Sequence, residues 1–96
     1  MKINIIGENS SNRMKLLKNL NKVTKNEDIN VEINVIDDKE TLSKYKDKNK
    51  PILMINEKII SNGKILTDRE IRNYIKIFAQ VIKIIKSHKL KNKGYR

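Results

Sequence analysis

The stretch from Ile3 to Leu20 constrains the fold of this chain more than any other. It reads INIIGENSSNRMKLLKNL: an apolar run that ends at Gly7, a polar turn, and apolar residues at helical spacing. This pattern predicts a strand, a turn and a helix, with the start of the helix beside the carboxyl end of the strand. In an open α/β sheet, ligands bind and chemistry occurs at that end. The residues at this place are Ser10, Ser11, Asn12 and Arg13.

Three further elements are predicted in the middle of the chain. Residues 29–35 alternate between apolar and polar side chains, which predicts a strand at the edge of a sheet. Asp37 and Glu40 predict the start of a short helix, because an acidic cap is followed three residues later by glutamate. Pro51, the only proline, opens an apolar run, and two short strands around residues 56 and 57 indicate a hairpin. Glycine would suit the second of these turn positions better than glutamate.

A last helix is predicted to complete the domain. Thr67 and Glu70 have the spacing of a capping box, and the helix is predicted to run from there to about Lys86 or His88. Its apolar residues form two adjacent stripes, Ile71, Tyr74, Ile75, Phe78, Ile82 and Ile85 in one and Ile77, Val81 and Ile84 in the other. The order of elements is therefore β-α-β-α-β-β-α in a single α/β domain.

The composition excludes several classes of function. The 96 residues make one domain, and they include no cysteine, so the chain has no disulfide, no thiolate metal site and no thiol nucleophile. His88 is the only histidine and no acid follows residue 70, so we expect no metal and no cofactor. No apolar run approaches the ~18–20 residues of a membrane span, and the N-terminus lacks the pattern of a secretory signal. We expect a cytoplasmic protein that uses no membrane.

Positive charge is concentrated at the end of the chain. Residues 1–70 carry a net charge of +3 and residues 71–96 a net charge of +8. We expect a folded domain over 1–88 and a basic, disordered tail over 89–96. The basic helix and tail are an alternative site for nucleic acid, but no stacking aromatics are interleaved with the lysines. We favour self-association through Ile77, Val81 and Ile84, beside the plainer interpretation of a long helix wrapped on its own core.

Two segments carry a resemblance to a known family. Residues 2–7 read KINIIG, and residues 51–60 read PILMINEKII, followed by SNGK. With the order of elements, they make the chain similar to thioredoxin-fold proteins, and more narrowly to the small, glutaredoxin-sized redox-active disulfide proteins of bacteria and archaea. The resemblance runs from residue 1 to about residue 80. It implies a thioredoxin-like fold with a four-stranded mixed sheet flanked by helices, a cis bond before Pro51, and a binding surface lined by that proline.

The chain departs from this family at its reactive motif. The resemblance places Ser10 and Arg13 where the two cysteines of Cys-x-x-Cys would stand, so the motif has become Ser-Ser-Asn-Arg. Thiol–disulfide exchange requires a thiolate, and a serine hydroxyl cannot form a disulfide. Lys50 also precedes Pro51, where the family usually carries threonine or a β-branched residue. We therefore expect a domain that has lost thiol–disulfide exchange and binds or scaffolds a protein or peptide.

The altered motif has several interpretations. Ser10 or Ser11 is a plausible helix cap, which needs no further function. An anion pocket could form from the free N–H groups of the helix start together with Arg13 and Lys50. Alternatively, Ser10 could activate a small thiol such as glutathione, as in some thioredoxin-fold transferases, or a cysteine at Ser10 or Ser11 was replaced, natively or by engineering. The surface expected to bind consists of Ser10, Ser11, Asn12, Arg13, Lys50 and Pro51.

Overall fold

Seven elements follow one another in the predicted order. The computed structural model describes the backbone of residues 1–25 and 30–94, and the side chains of residues 1–25 and 30–85. The elements are β1 (Lys2–Ile6), α1 (Ser11–Thr24), β2 (Glu32–Ile36), α2 (Lys39–Lys44), β3 (Ile52–Ile55), β4 (Lys58–Asn62) and α3 (Asp68–Gly94). The prediction of a β-α-β-α-β-β-α domain is thereby confirmed. Within the described residues, no helix is both long enough and apolar enough to cross a bilayer.

The four strands form one mixed sheet in the order β2-β1-β3-β4. β2 pairs with β1 in parallel, whereas β3 pairs antiparallel with both β1 and β4. β2 therefore lies at the edge, as its alternating pattern predicts, although it starts at Glu32 rather than at residue 29. Residues 26–29, where the predicted strand begins, lie outside the described residues.

The sheet buries both of its faces, and β1 contributes to each. Ile3 and Ile5 of β1 belong to the main core, which α1 and α3 cover on one face of the sheet. Ile6 belongs to a smaller cluster on the other face, which α2 covers through Leu42. β1 is therefore buried on both of its faces. The buried members of the main core are Ile3, Ile5, Leu16, Leu20, Val23, Leu53, Ile55, Leu66, Ile71 and Ile75.

A capping box starts α3, as predicted. The hydroxyl of Thr67 accepts a hydrogen bond from the backbone N–H of Glu70 at 3.2 Å, and the carboxylate of Glu70 accepts one from the backbone N–H of Thr67 at 3.1 Å. The helix continues to Gly94, beyond the predicted end near residues 86–88. No proline occurs after Asp68, and Gly94 is the first glycine, so no residue before it stops the helix.

The predicted division of the chain near residue 88 remains a prediction. α3 passes through this position without a break, so the backbone of residues 89–94 is helical. The side chains from residue 86 onwards, and all of residues 95 and 96, lie outside the described residues. The boundary between a domain over 1–88 and a disordered tail over 89–96 therefore stays a prediction.

The hairpin between β3 and β4 closes through two residues with positive φ. Asn56 has φ 49° and Glu57 has φ 70°, the combination of a type I′ turn. Asn56 also ties this turn to β1, because its side-chain oxygen accepts from the backbone N–H of Lys2 at 2.9 Å and its own N–H donates to the carbonyl of Lys2 at 2.8 Å. Glu57 gains no such contact and carries a Cβ in a conformation that favours glycine.

We expect Glu57→Gly to stabilise the protein. Glycine relieves the left-handed conformation at this position but adds backbone entropy to the unfolded chain, so the expected gain is about 0.5–1 kcal/mol. The measurement is the midpoint of urea unfolding, with the slope of the transition unchanged. Glu57→Ala is the matched control, because it removes the same carboxylate and keeps the Cβ. An equal gain from both substitutions would assign the effect to charge rather than to φ.

Candidate functional site

The β1–α1 loop and Pro51 lie at the same edge of the sheet. Ile6 at the end of β1 pairs with Ile52 at the start of β3. Gly7, which follows β1, and Pro51, which precedes β3, therefore lie side by side. They approach closely, since a Cβ placed on Gly7 would lie 3.3 Å from the Cα of Pro51. The end of β2 meets them there, because the N–H of Gly7 donates to the carbonyl of Ile36 at 3.0 Å. We call this place the loop edge: residues 7–13, Asp37, Lys50 and Pro51.

Ser10 caps α1 at the loop edge. Its backbone is extended, with φ −152° and ψ 163°, and its hydroxyl oxygen accepts from the backbone N–H of Arg13 at 3.1 Å. The prediction of a serine cap is thus confirmed, with Ser10 rather than Ser11 in that position. Ser11 and Asn12 form the first turn, and their side chains are exposed. The hydroxyl of Ser10 therefore completes a helix start, which is the usual role of serine at such a position.

Arg13 connects three separate parts of the loop edge. Its Nη1 donates to the carbonyl of Gly7 at 3.1 Å and to the carboxylate of Asp37 at 3.2 Å, and its Nη2 donates to the side-chain oxygen of Asn9 at 3.3 Å. Only 15% of its side chain is exposed, against 60% for Asp37. We call this arrangement the Arg13 latch. It fixes the β1–α1 loop to the end of β2, and it neutralises the guanidinium within the chain.

Asn9 and Asp37 also belong to this site, although neither was predicted from the sequence. One signal pointed to Asp37: it follows β2 directly, and the carboxyl ends of two parallel strands meet at one edge of a sheet. The predicted cap of α2 was wrong by one residue. Asp37 was assigned to the helix start, so its pairing with Arg13 was not predicted. Asp38 rather than Asp37 caps α2, and Asp37 is therefore available to Arg13.

Asp38 is held by the start of the helix that it caps. Its carboxylate accepts from the backbone N–H of Thr41 at 2.9 Å and from the hydroxyl of Thr41 at 3.0 Å. These bonds favour the charged form of the carboxyl group, the backbone bond most strongly, and they lower the pKa of Asp38 below its usual value. The charge of Asp38 is thus used in α2, on the opposite face of the sheet from α1.

The ammonium group of Lys50 binds to backbone carbonyls of its own loop. Its ammonium nitrogen donates to the carbonyl of Tyr45 at 2.9 Å and to the carbonyl of Lys48 at 3.2 Å. The peptide bond between Lys50 and Pro51 is cis, and Pro51 is buried. Both cations of the predicted anion pocket therefore hold hydrogen bonds within the chain. An anion at the loop edge would have to compete with Asp37 for the guanidinium of Arg13, and this pocket remains a prediction.

The loop edge brings together the predicted residues without an evident reactive group. Ser10 accepts a hydrogen bond from backbone, and His88, the only histidine of the chain, has its side chain outside the described residues. Among the residues that the structure describes, no group of three or more acids or histidines is placed to hold a metal ion. The arrangement stabilises a loop and a helix start, and it leaves Ser11 and Asn12 exposed to solvent.

Comparison with known proteins gives one match. A family model described as a thioredoxin domain matches residues 1–76. The matched part begins before β1, contains the whole loop edge and ends within α3. No curated protein and no solved structure matches the chain.

We expect the Arg13 latch to contribute to stability. Arg13→Gln removes the ion pair and leaves the partly buried carbonyl of Gly7 without its donor, so the expected loss is about 1–2 kcal/mol in the free energy of unfolding. Arg13→Lys should recover less than half, because a single ammonium cannot replace the planar fork. Lys15→Gln, on the exposed face of the same helix, is the matched control and should change stability by less than about 0.5 kcal/mol. Equal losses from Arg13→Gln and Lys15→Gln in urea unfolding would contradict the latch.

We expect the cap at Asp38 to make stability depend on pH. A carboxyl group whose pKa is lowered on folding stabilises the protein above its unfolded pKa, and this contribution is lost as the pH falls through the folded value. The asparagine introduced by Asp38→Asn also caps a helix but does not titrate. The difference in urea midpoint between wild type and Asp38→Asn should be constant from pH 7 to 5. Below about pH 4 the midpoint of the wild type should fall relative to that of Asp38→Asn. A difference that does not change down to pH 3 would show that the cap does not favour the charged form.

Proposed function

The chain belongs to the thioredoxin-domain family, and we propose that within it the protein acts as a binding or scaffolding module that exchanges no thiols. The Arg13 latch is the observation that supports this proposal most. Arg13 stands where the family pattern has its second cysteine, and its guanidinium is bound to Gly7, Asn9 and Asp37. The edge that carries redox chemistry in related proteins is here an internally bonded structure. The proposal includes a cytoplasmic location.

The absence of cysteine excludes dithiol chemistry in this chain. Exchange proceeds when a thiolate attacks a disulfide sulfur, and a mixed disulfide forms and is then resolved. The chain contains no thiol for either step. The fold, in contrast, is complete, with both helices of the main core and all four strands in place. A stable domain that lacks the reactive atoms is suited to binding through its surface.

The alternative of catalysis by Ser10 receives less support. A serine that activates glutathione would donate its hydroxyl hydrogen to the thiolate sulfur. The hydroxyl oxygen of Ser10 accepts the N–H of Arg13, which leaves its hydrogen available, but the neighbouring guanidinium that could hold an anionic substrate is bound to Asp37. The geometry therefore favours a cap over a catalytic serine.

The surface proposed to bind is the exposed start of α1, with the buried Pro51 supporting the loop that leads to it. Ser10, Ser11 and Asn12 are exposed, and Gly7, at the start of the same loop, packs closely on Pro51. In related thioredoxin-fold proteins the corresponding proline lines the binding surface. We propose that an extended segment of another protein binds along these residues, with Arg13 and Lys50 shaping the surface from beneath.

We expect the wild-type chain to show no disulfide reductase activity, and Ser10→Cys/Arg13→Cys to create it. A thiol introduced at Ser10 would lie at the start of a helix, where the thiolate is stabilised. The measurement is reduction of insulin disulfides by dithiothreitol, with Ser10→Ala/Arg13→Ala as the matched control. Turnover by the wild type would overturn the proposal. Should loss of the latch unfold the double variant, Ser10→Cys alone provides the test, because its thiol should be alkylated with a pKa below about 8.5.

Binding at the loop edge can be located by nuclear magnetic resonance. A displayed library of cysteine-free peptides is selected against the chain, and the enriched peptides are titrated into labelled protein. We expect amide shifts to concentrate at residues 10–13 and 50–52, and Asn12→Arg to weaken binding at least about tenfold. Asn21→Arg, at an exposed position of the same helix roughly 14 Å along its axis from Asn12, is the matched control. Failure to enrich any peptide that shifts these residues would overturn the proposed binding surface.

A further inference from the structure

The exposed side of α3 carries a line of apolar side chains. Ile77, Val81 and Ile84 are 56%, 47% and 67% exposed, whereas Ile71 and Ile75, on the inward face of the same helix, are fully buried. Spacings of three and four residues place the three exposed side chains in one line along the helix. We call them the α3 stripe. Ile85, 51% exposed, widens it at one side. The predicted second apolar stripe is therefore present and lies on the surface.

α3 is long compared with the part of it that is seen to be buried. Among its described side chains, which end at Ile85, Ile75 is the last that is fully buried and Phe78 is partly buried against the core, while the backbone of the helix continues to Gly94. The 19 residues after Ile75 correspond to roughly 28 Å of helix. Solvent-exposed isoleucines on such an extension lower solubility unless something covers them, because their burial is favourable by about 25 cal/mol per Å² of apolar area. The extension thus presents a binding surface separate from the loop edge.

The helices on this face of the sheet hold nearly all of the net positive charge. By sequence, α1 and α3 together carry twelve Lys+Arg and two Asp+Glu, a net +10 within a chain of net charge +11. Lys76 and Lys83 are exposed, and their spacing of seven residues places them in one line along α3, roughly a third of a turn to one side of the α3 stripe. The two acids, Asp68 and Glu70, lie in the first turn of α3, where Glu70 forms the capping box. The α3 stripe is therefore an apolar line with a basic border.

This charge distribution distinguishes between the kinds of partner that could cover the α3 stripe. A second copy of the chain would bring one basic helix against another, because each chain carries eight Lys+Arg and no acid after residue 70. A nucleic acid would contact the lysines and leave the isoleucines in water. An acidic amphipathic helix satisfies both features, because its apolar side covers the stripe and its carboxylates face Lys76 and Lys83.

We propose that the α3 stripe and its basic border bind an acidic amphipathic helix of another protein. This inference goes beyond the proposed function, because it adds a second binding surface and gives the chemistry of its partner. The isoleucines provide most of the affinity, because apolar side chains buried at the centre of an interface dominate its energetics. Lys76 and Lys83 provide orientation and a faster association rate, which salt reduces.

The test uses a fluorescein-labelled synthetic helix with a leucine stripe and glutamates over its other faces, measured by fluorescence anisotropy. Two matched probes replace the glutamates by lysines or the leucines by serines. We expect the acidic amphipathic probe to bind at least about tenfold more tightly than either.

Ile84→Ser should weaken binding of this probe at least about tenfold, and Lys76→Gln/Lys83→Gln should weaken it and reduce its dependence on salt. Ile59→Ser, on β4, and Lys46→Gln, in the loop after α2, are the matched controls and should leave it unchanged.

Several results would overturn this inference. Equal binding of the lysine probe, or no effect of Ile84→Ser, would show that the stripe is not the site. A dimer seen by light scattering that Ile84→Lys converts to monomer would assign the stripe to a second copy. Tight binding to vesicles of phosphatidylserine and phosphatidylcholine, or to duplex DNA, without binding of the acidic probe would assign the stripe to lipid or nucleic acid.

The failure of this inference can be distinguished from the failure of the proposed function. Peptide binding confined to residues 10–13 and 50–52 would overturn this inference and leave the proposed function standing, whereas wild-type reductase activity would overturn that function.

Discussion

Burial of β1 on both of its faces is the constraint on which the rest of the structure depends. Ile3 and Ile5 face the core beneath α1 and α3, and Ile6 faces the cluster beneath α2. A strand buried in this way has to be paired on both edges, and β2 and β3 provide these partners in opposite directions. The parallel pairing requires a crossover, which is α1, and so the start of α1 lies at the carboxyl end of β1. The position of the loop edge therefore follows from the burial of one short strand.

Polar groups brought to that edge need partners, and here the chain supplies them itself. The carbonyl of Gly7 and the carboxylate of Asp37 converge because two parallel strands end together, and Arg13 donates to both. In this chain the hydrogen bonds of Arg13 are directed inwards, to the loop and to the end of β2. Exposed apolar side chains lie elsewhere, among them Ile77, Val81 and Ile84 on α3. The two surfaces proposed to bind are therefore separate and differ in character, one polar and one apolar.

Elements with local signals were predictable from the sequence, and contacts between distant segments were not. The capping box at Thr67 and Glu70 and the turn at Asn56 and Glu57 depend on residues close together in the chain, and both were identified correctly. The Arg13 latch joins residues up to 24 positions apart, so no window of sequence contains it. The length of α3 was underestimated because its apolar period weakens after Ile85, whereas its stop depends on Gly94. Which of the adjacent acids caps α2 was decided by Thr41, whose hydroxyl and N–H both bind Asp38.

The Arg13 latch has a consequence for how the loop edge can be altered. A cysteine at position 13 would abolish the bonds to Gly7, Asn9 and Asp37 at once, while a lone cysteine at position 10 would have no resolving partner. A pair of cysteines introduced here would therefore have to offset the lost stabilisation before it could react. The exposed positions of the first turn of α1 hold no such set of bonds, so they accept single exchanges more readily than position 13.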